Sequence, residues 1–439
     1  MKRSIKRVVD NLSFKYEFFY LVKTNKKKAI FFSLAYLAFV FYVIYEIYDR
    51  GAFYGLASNI FTFFVDIGIV FLITVFFLVV RSLHNDEKGR IIEKDNLQIG
   101  TVVPINMNFS EVKVQFNRHD FYSQPREIET LLKWVDFNKD DYFRTHYGSL
   151  DVPKFSIDGL SLESGILTVN CSSTSFFDIT FTHYFPDYPL SSSDTTTKVN
   201  EKTLRSLLSA DIERHYASSE FSKAGSMEFF DLLPNPIGIT GIVEIAIEGE
   251  DPLFILQARL SADAAAKDKI QHSFAGTIDL FPNLYREDVT LKDMVDTELF
   301  DEVVDQTIGN SVSLKVLESD GGILRENKLL GLVINPLYLY QPEFFVRVKY
   351  TVPGTYRHLP LVLQLKQEAK VFKTCLSKGK SLPKRKGNLY VCTRDCMDSL
   401  VDNDKISTRN LFPVGLNLLK HSETSTEHAP SGMNPLPTT

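Results

Sequence analysis

The chain has 439 residues, a formal net charge of −5 and 44% hydrophobic residues. Such a balance excludes a basic binder of nucleic-acid polymers. Four cysteines, Cys171, Cys375, Cys392 and Cys396, form neither a disulfide framework nor a paired C-x-x-C zinc pattern, and read as reduced thiols of a cytoplasmic domain.

Residues 1–25 form a basic leader in which Ile5, Val8, Val9, Leu12, Tyr16 and Phe19 recur at helical spacing. This fits either an interfacial helix lying on anionic lipid or a disordered basic segment. Two apolar runs follow, Ala29–Tyr45 and Ile60–Val80, parted by a short break containing Asp49, Arg50 and Gly51. About 20 apolar residues cross a bilayer, and lipid leaves no water for unpaired backbone, so the stretch 29–80 predicts two transmembrane helices. A cleaved signal peptide is excluded by the length of the first run and by Tyr45 to Tyr48, a poor small-residue cleavage site. A pair of buried core helices would need a polar face, which neither run has.

Lys2, Arg3, Lys6, Arg7, Lys15, Lys23, Lys26, Lys27 and Lys28 precede the first span, whereas the turn carries only Arg50. Both termini are therefore expected in the cytoplasm. Asp66 stands roughly 9 Å along the second helix from its far end. An intramembrane carboxylate marks a functional position by default. It would line a pore or bond a neighbouring helix, unless it is shallow enough simply to draw in water. Residues 81–100 read as a charged connector.

The remaining chain alternates between strand and helix signals. Strands are expected at Val112–Phe116, Gly165–Asn170 and Phe176–His183, the last alternating Phe177, Ile179 and Phe181 with Asp178, Thr180 and Thr182. Glu127–Val135 and Thr203–Tyr216 carry apolar stripes at helical spacing, and Ser191–Lys202 reads as a loop. Ile237–Ile247 and Leu253–Leu260 form a hairpin about the turn Glu248–Pro252. Leu291–Ile308 is expected as a helix, Leu329–Ile334 and Phe344–Tyr350 as strands. A helix over Leu361–Leu376, a strand over Asn388–Thr393 and a disordered tail over 421–439 complete the reading. The divisions are an α+β extension at 101–233 and a core at 234–420.

Within the helix Leu291–Ile308, Glu298, Asp301 and Glu302 stand at i, i+3 and i+4, on one face. Like charges so close need water, a basic partner or a divalent cation between them. Oxygen ligands of this kind suit Mg²⁺, although a solvated acidic face has the same pattern.

The order strand, turn, strand, Gly-containing loop, acidic helix, strand resembles the Nudix family. Its helix motif, Arg-Glu-apolar-x-Glu-Glu-x-Gly, is matched by Thr297 to Val304, with Glu298, Asp301 and Glu302 in the carboxylate places. Thr297 replaces the Arg and Val304 the Gly. Ser273–Leu280 resembles the loop before that helix, and Leu329–Ile334 and Gln341–Val348 resemble the strands after it. Behind the transmembrane hairpin read from the apolar runs, the resemblance implies a Nudix-like α/β/α sandwich, in a fold of α+β class. It implies Glu298, Asp301 and Glu302 as metal ligands or catalytic carboxylates, with Gly276 in the nucleotide-side loop and Glu343 either contacting the nucleotide or closing the edge of a strand. Arg259, at a strand end, would meet a phosphate or form a surface salt bridge, and His272, beside the Gly276 loop, would touch a nucleotide or serve the structure. Loss of the motif's Arg and Gly weighs against hydrolysis and leaves a nucleotide pocket.

A two-span anchor on such a domain is similar to the membrane effectors of bacterial cyclic-oligonucleotide antiphage systems (CBASS). That likeness implies a two-pass protein of the inner membrane whose partners are a cyclic nucleotide second messenger, the lipid bilayer and further copies of itself. No cofactor is required on this reading, and Mg²⁺ is the ion that would suit it. The alternative is a membrane-tethered, Mg²⁺-dependent hydrolase of a nucleoside-diphosphate derivative.

Overall fold

The computed structural model describes residues 101–123, 153–184, 203–218, 225–258, 270–280, 288–308, 312–335, 339–378, 389–401 and 411–424, with positions 27, 30, 34, 125, 128 and 186 besides. Asp66, Arg259 and the connector lie outside the described residues. So do the two apolar runs, apart from Ile30 and Leu34, which are helical and exposed. Among the described residues no helix is long and apolar enough to cross a membrane.

The strands in chain order are β1 (Val102–Asn108), β2 (Val112–Phe121), β3 (Pro153–Glu163), β4 (Ile166–Ser175), β5 (Ser226–Glu228), β6 (Gly238–Ile247), β7 (Leu253–Ala258), β8 (Ile270–Gln271), β9 (Phe274–Thr277), β10 (Thr307–Ile308), β11 (Val312–Ser313), β12 (Leu324–Asn335), β13 (Gln341–Val352) and β14 (Leu389–Thr393). The helices are α1 (Phe176–Ile179), α2 (Leu204–Ser218), α3 (Leu291–Leu299), α4 (Val316–Ser319), α5 (Pro360–Ser377), α6 (Arg394–Val401) and α7 (Leu411–Thr424).

An eight-stranded mixed sheet runs β1-β12-β13-β6-β7-β14, with β9 beside the start of β6 and β8 beside the end of β7. β13 and β6 pair in parallel, and the other ladders are antiparallel. β6 is buried along nearly its whole length, which explains its unbroken apolar sequence. One face carries α3, part of α5 and a second sheet, β2-β4-β3-β5. The other is covered by α6 and α7, with Phe372 of α5. Among the described residues β1 lies at the rim, paired with β12 alone, and its register shifts between Pro104 and Met107. The fold is thus mixed α+β, with a large sheet between two layers.

Most expected elements stand where the pattern puts them, including the β6–β7 hairpin, β12, β13, α2 and α5. All four cysteines are free. Phe176–His183 is not a strand: α1 is followed by a π-helical turn at Thr180–Tyr184. Its polar alternate residues are buried, not solvated, and they bond the local backbone. Ser175 and Asp178 cap the start reciprocally (2.7 and 3.0 Å), while Thr180 and Thr182 donate to the carbonyls of Phe176 and Asp178. The tail is also shorter than expected, because α7 continues to Thr424 and buries Ser422.

Gly241 lies under the ring of fully buried Phe274, where any Cβ would collide with three ring atoms. Gly241→Ala should therefore cost about 1–3 kcal/mol by overpacking. A chemical-denaturation midpoint equal to that of the parent would show that the ring has room to move.

Candidate functional site

The acidic helix starts where a capping box fixes it. Thr290 Oγ1 accepts from the Asp293 amide, and the Asp293 carboxylate accepts from the Thr290 amide. Leu291, Met294, Val295 and Leu299 are buried against the sheet. After Leu299 the backbone widens into a π-helical turn, Phe300–Val304, closed by Asp305 N–H donating to Phe300 O at 2.9 Å. The expected single helix to Ile308 is thus α3, a π turn and β10. A π turn takes one residue more than an α turn, so the side-chain phase changes.

The three carboxylates have different surroundings, while Glu302 and Asp301 both still act on Glu298. Glu298 and Glu302 return to β9, whereas Asp301 is exposed. Glu302 Oε2 accepts from the Ala275 amide at 2.9 Å. The Glu298 carboxylate rests on Gly276, where a Cβ would collide with it. Ser273–Leu280, expected as a loop, therefore includes a strand, β9, whose glycine admits a carboxylate.

A cation completes the arrangement from the second sheet. Lys154, near the start of β3, donates from Nζ to Thr277 O at 3.3 Å and pairs with Asp279. Its ammonium also stands 5.1 Å from the centroid of the Phe176 ring. Burial lowers the Lys154 pKa to about 8, against the pull of Glu298. Burial likewise raises the Glu298 pKa to about 7, and Glu302 adds to the rise while Lys154 opposes it. Sequence reasoning missed Lys154: a lone lysine 144 positions upstream of Glu298 carries no local signal.

Glu343 lies on the opposite face of the sheet, in a buried polar cluster. Asn335 Nδ2 donates to its Oε1 at 2.7 Å and Thr240 Oγ1 to its Oε2 at 3.2 Å. Gly238, in register with Glu343, makes room for it and for Gln341. Leu339 and Tyr340, at φ 46° and 61°, enter β13 through left-handed backbone that bulky residues rarely adopt. Tyr340 OH is anchored on Glu213 of α2. His272 is buried beneath α7, edge-on to Phe345 with ring centroids 5.2 Å apart, and Gly415 allows the close approach. The structure therefore joins Gly276, Glu298 and Glu302, and leaves Glu343 and His272 in other surroundings.

Among the described residues no three acidic, histidine or cysteine side chains stand together as a metal ion requires. Mg²⁺ takes about six oxygens in near-octahedral array. With Asp301 exposed and Glu302 bonded to a backbone amide, the side chains do not present such a set.

No protein-family model and no curated protein matches the chain. Among solved structures, a Nudix hydrolase from M. smegmatis, RenU, is similar at 9% identity and a TM-score of 0.22, over 45% of this chain and 90% of that one. A likeness that loose carries no argument about either fold or activity.

Proposed function

We propose that this protein is a membrane-tethered sensor. Its Nudix-like domain binds a nucleotide signal, such as a cyclic oligonucleotide, and multimerises. The hairpin 29–80 then disrupts the inner membrane as an effector of antiviral defence. The observation that supports binding over hydrolysis is the use of the acids: Glu302 is bonded to the Ala275 amide and the Glu298 carboxylate rests on Gly276, which ties α3 to β9. The two long apolar runs supply the membrane part of the reading. Ligand must favour the assembled state by differential affinity for the mechanism to work.

The test uses the full-length chain in liposomes with a panel of cyclic di- and trinucleotides. One of them should cause dye leakage together with a shift to larger oligomers. Inserted protein that leaks with none of them sinks the proposal.

One observation favours a second reading, a tethered hydrolase of a nucleoside-diphosphate derivative. A buried carboxyl poised near neutrality, as Glu298 is, suits a general base. Phosphate release from a diphosphate panel, abolished by Glu298→Gln with folding intact, would favour that reading over the sensor.

A further inference from the structure

A groove of about 790 Å³ lies between α5 and the β6–β7 turn. Pockets for small molecules typically span roughly 300–1,000 Å³. Its lining includes two buried apolar residues, Leu253 of β7 and Ala369 of α5. Thr393, in register with Leu253 on the neighbouring strand β14, lines it too. The Thr393 Oγ1 is buried and meets no hydrogen-bond partner among the described residues. A hydroxyl in that state is ordinarily met by water or a bound molecule.

The remaining lining is mostly basic. Lys366, Lys370 and Lys373 stand at i, i+4 and i+7 on α5, along one face of the helix. Lys366 is engaged within the fold: its Nζ meets both oxygens of Glu250 at 2.6 Å. Arg357 approaches the same carboxylate at 3.5 Å and donates to Glu248 O at 2.6 Å, beside Gly249, which has no Cβ to block the guanidinium. The chain thus neutralises Glu250 itself. Lys370 and Lys373 are exposed and have no acidic partner among the described residues. Asp251 is the other acid of the lining, and it is exposed. Ammonium groups one helical turn apart repel each other, and an anion held between them relieves that repulsion.

We infer that this groove binds a small oligophosphate anion, with Lys370 and Lys373 as its phosphate contacts. The groove shares no residue with the cradle at Gly276, and the inference does not rest on the sensor reading. A free anion and a phosphorylated lipid headgroup offer the same chemistry, and the test separates them.

The experiment is isothermal titration of the full-length chain in detergent with inorganic tripolyphosphate. A second arm uses a water-soluble, short-chain inositol lipid bisphosphate. Tripolyphosphate should bind the parent and weaken by about ten-fold or more in Lys370→Ala with Lys373→Ala, because two charge-assisted contacts are lost. Asp251→Asn should tighten it by roughly two- to five-fold, since a repelling charge is removed. Lys113→Ala with Lys328→Ala, on β2 and β12, changes the net charge equally and should leave the affinity within about two-fold of the parent. Tighter binding of the lipid assigns the phosphates to a headgroup, and tighter binding of tripolyphosphate assigns them to a free anion. Either order supports the groove when Lys370 and Lys373 are required.

Absence of binding by both compounds overturns the inference. So does binding that survives loss of Lys370 and Lys373, or that the control pair weakens as much. Should the Lys370–Lys373 double variant fail to fold, Asp251→Asn decides alone: tighter binding supports the site and unchanged affinity refutes it.

Discussion

Arg347→Leu should destabilise the domain by roughly 3–5 kcal/mol, the cost of leaving a buried charge without its partner. Arg347 projects from β13 and Glu244 from β6, the two strands of the parallel ladder. The guanidinium meets one carboxylate oxygen through Nε at 2.8 Å and Nη2 at 2.6 Å. The side chains are 14% and 5% exposed, so water cannot take over from the lost partner. Changing both residues, Arg347→Leu with Glu244→Leu, should restore much of the loss, because the penalty belongs to the orphaned carboxylate. Urea denaturation of the four proteins of this cycle measures it. A single variant within about 0.5 kcal/mol of the parent would show that the pair is dispensable.

The second large effect concerns pH. Glu298 is raised from 4.5 to about 7 in the fold, mainly by burial. Between those values the folded chain holds a proton that the unfolded chain releases, so this group's contribution is fully present below about pH 4.5 and is lost as pH rises through about 7. The shift corresponds to at most roughly 3 kcal/mol, less whatever solvent screens at this partly exposed position. Glu298→Gln cannot ionise. Its stability relative to the parent should therefore rise between about pH 5 and 7.5 and then level off. Lys154 works in the opposite sense at higher pH: with its pKa lowered to about 8, it adds stability as pH climbs from there towards 10.5. Parallel curves for parent and Glu298→Gln from pH 5 to 7.5, in about half-unit steps, would mean that the carboxyl titrates normally.

Patterns confined to one element were legible in the sequence. The apolar run of β6, the turn at Glu248–Pro252 and the stripe of α2 each state their structure within about a dozen residues. Phe176–His183 misled because alternation says which residues differ, not which are wet. The Ser175–Asp178 capping pair was the available contrary signal. At the site, Gly276, Glu298 and Glu302 could be picked out because acids on a helix and a glycine before it are local facts. The displacement of Asp301 could not, since a π turn changes phase without changing composition. Lys154 was invisible for a different reason: it reaches Asp279 and Thr277 through an encounter between two sheets. His272 and Glu343 were singled out by residue type and sequence context, and both lie in the interior, His272 against Phe345 and Glu343 bonded to Asn335.

The rim position of β1 bears on how the two halves of the chain communicate. Among the described residues, the strand that follows residue 101 has one neighbour and an interrupted ladder. A pull from that side loads a seam that can peel bond by bond, while β12, β13 and β6 keep their pairing. The attachment therefore works as a mechanical fuse: a load applied at residue 101 opens the β1–β12 seam before it reaches the cradle at Gly276.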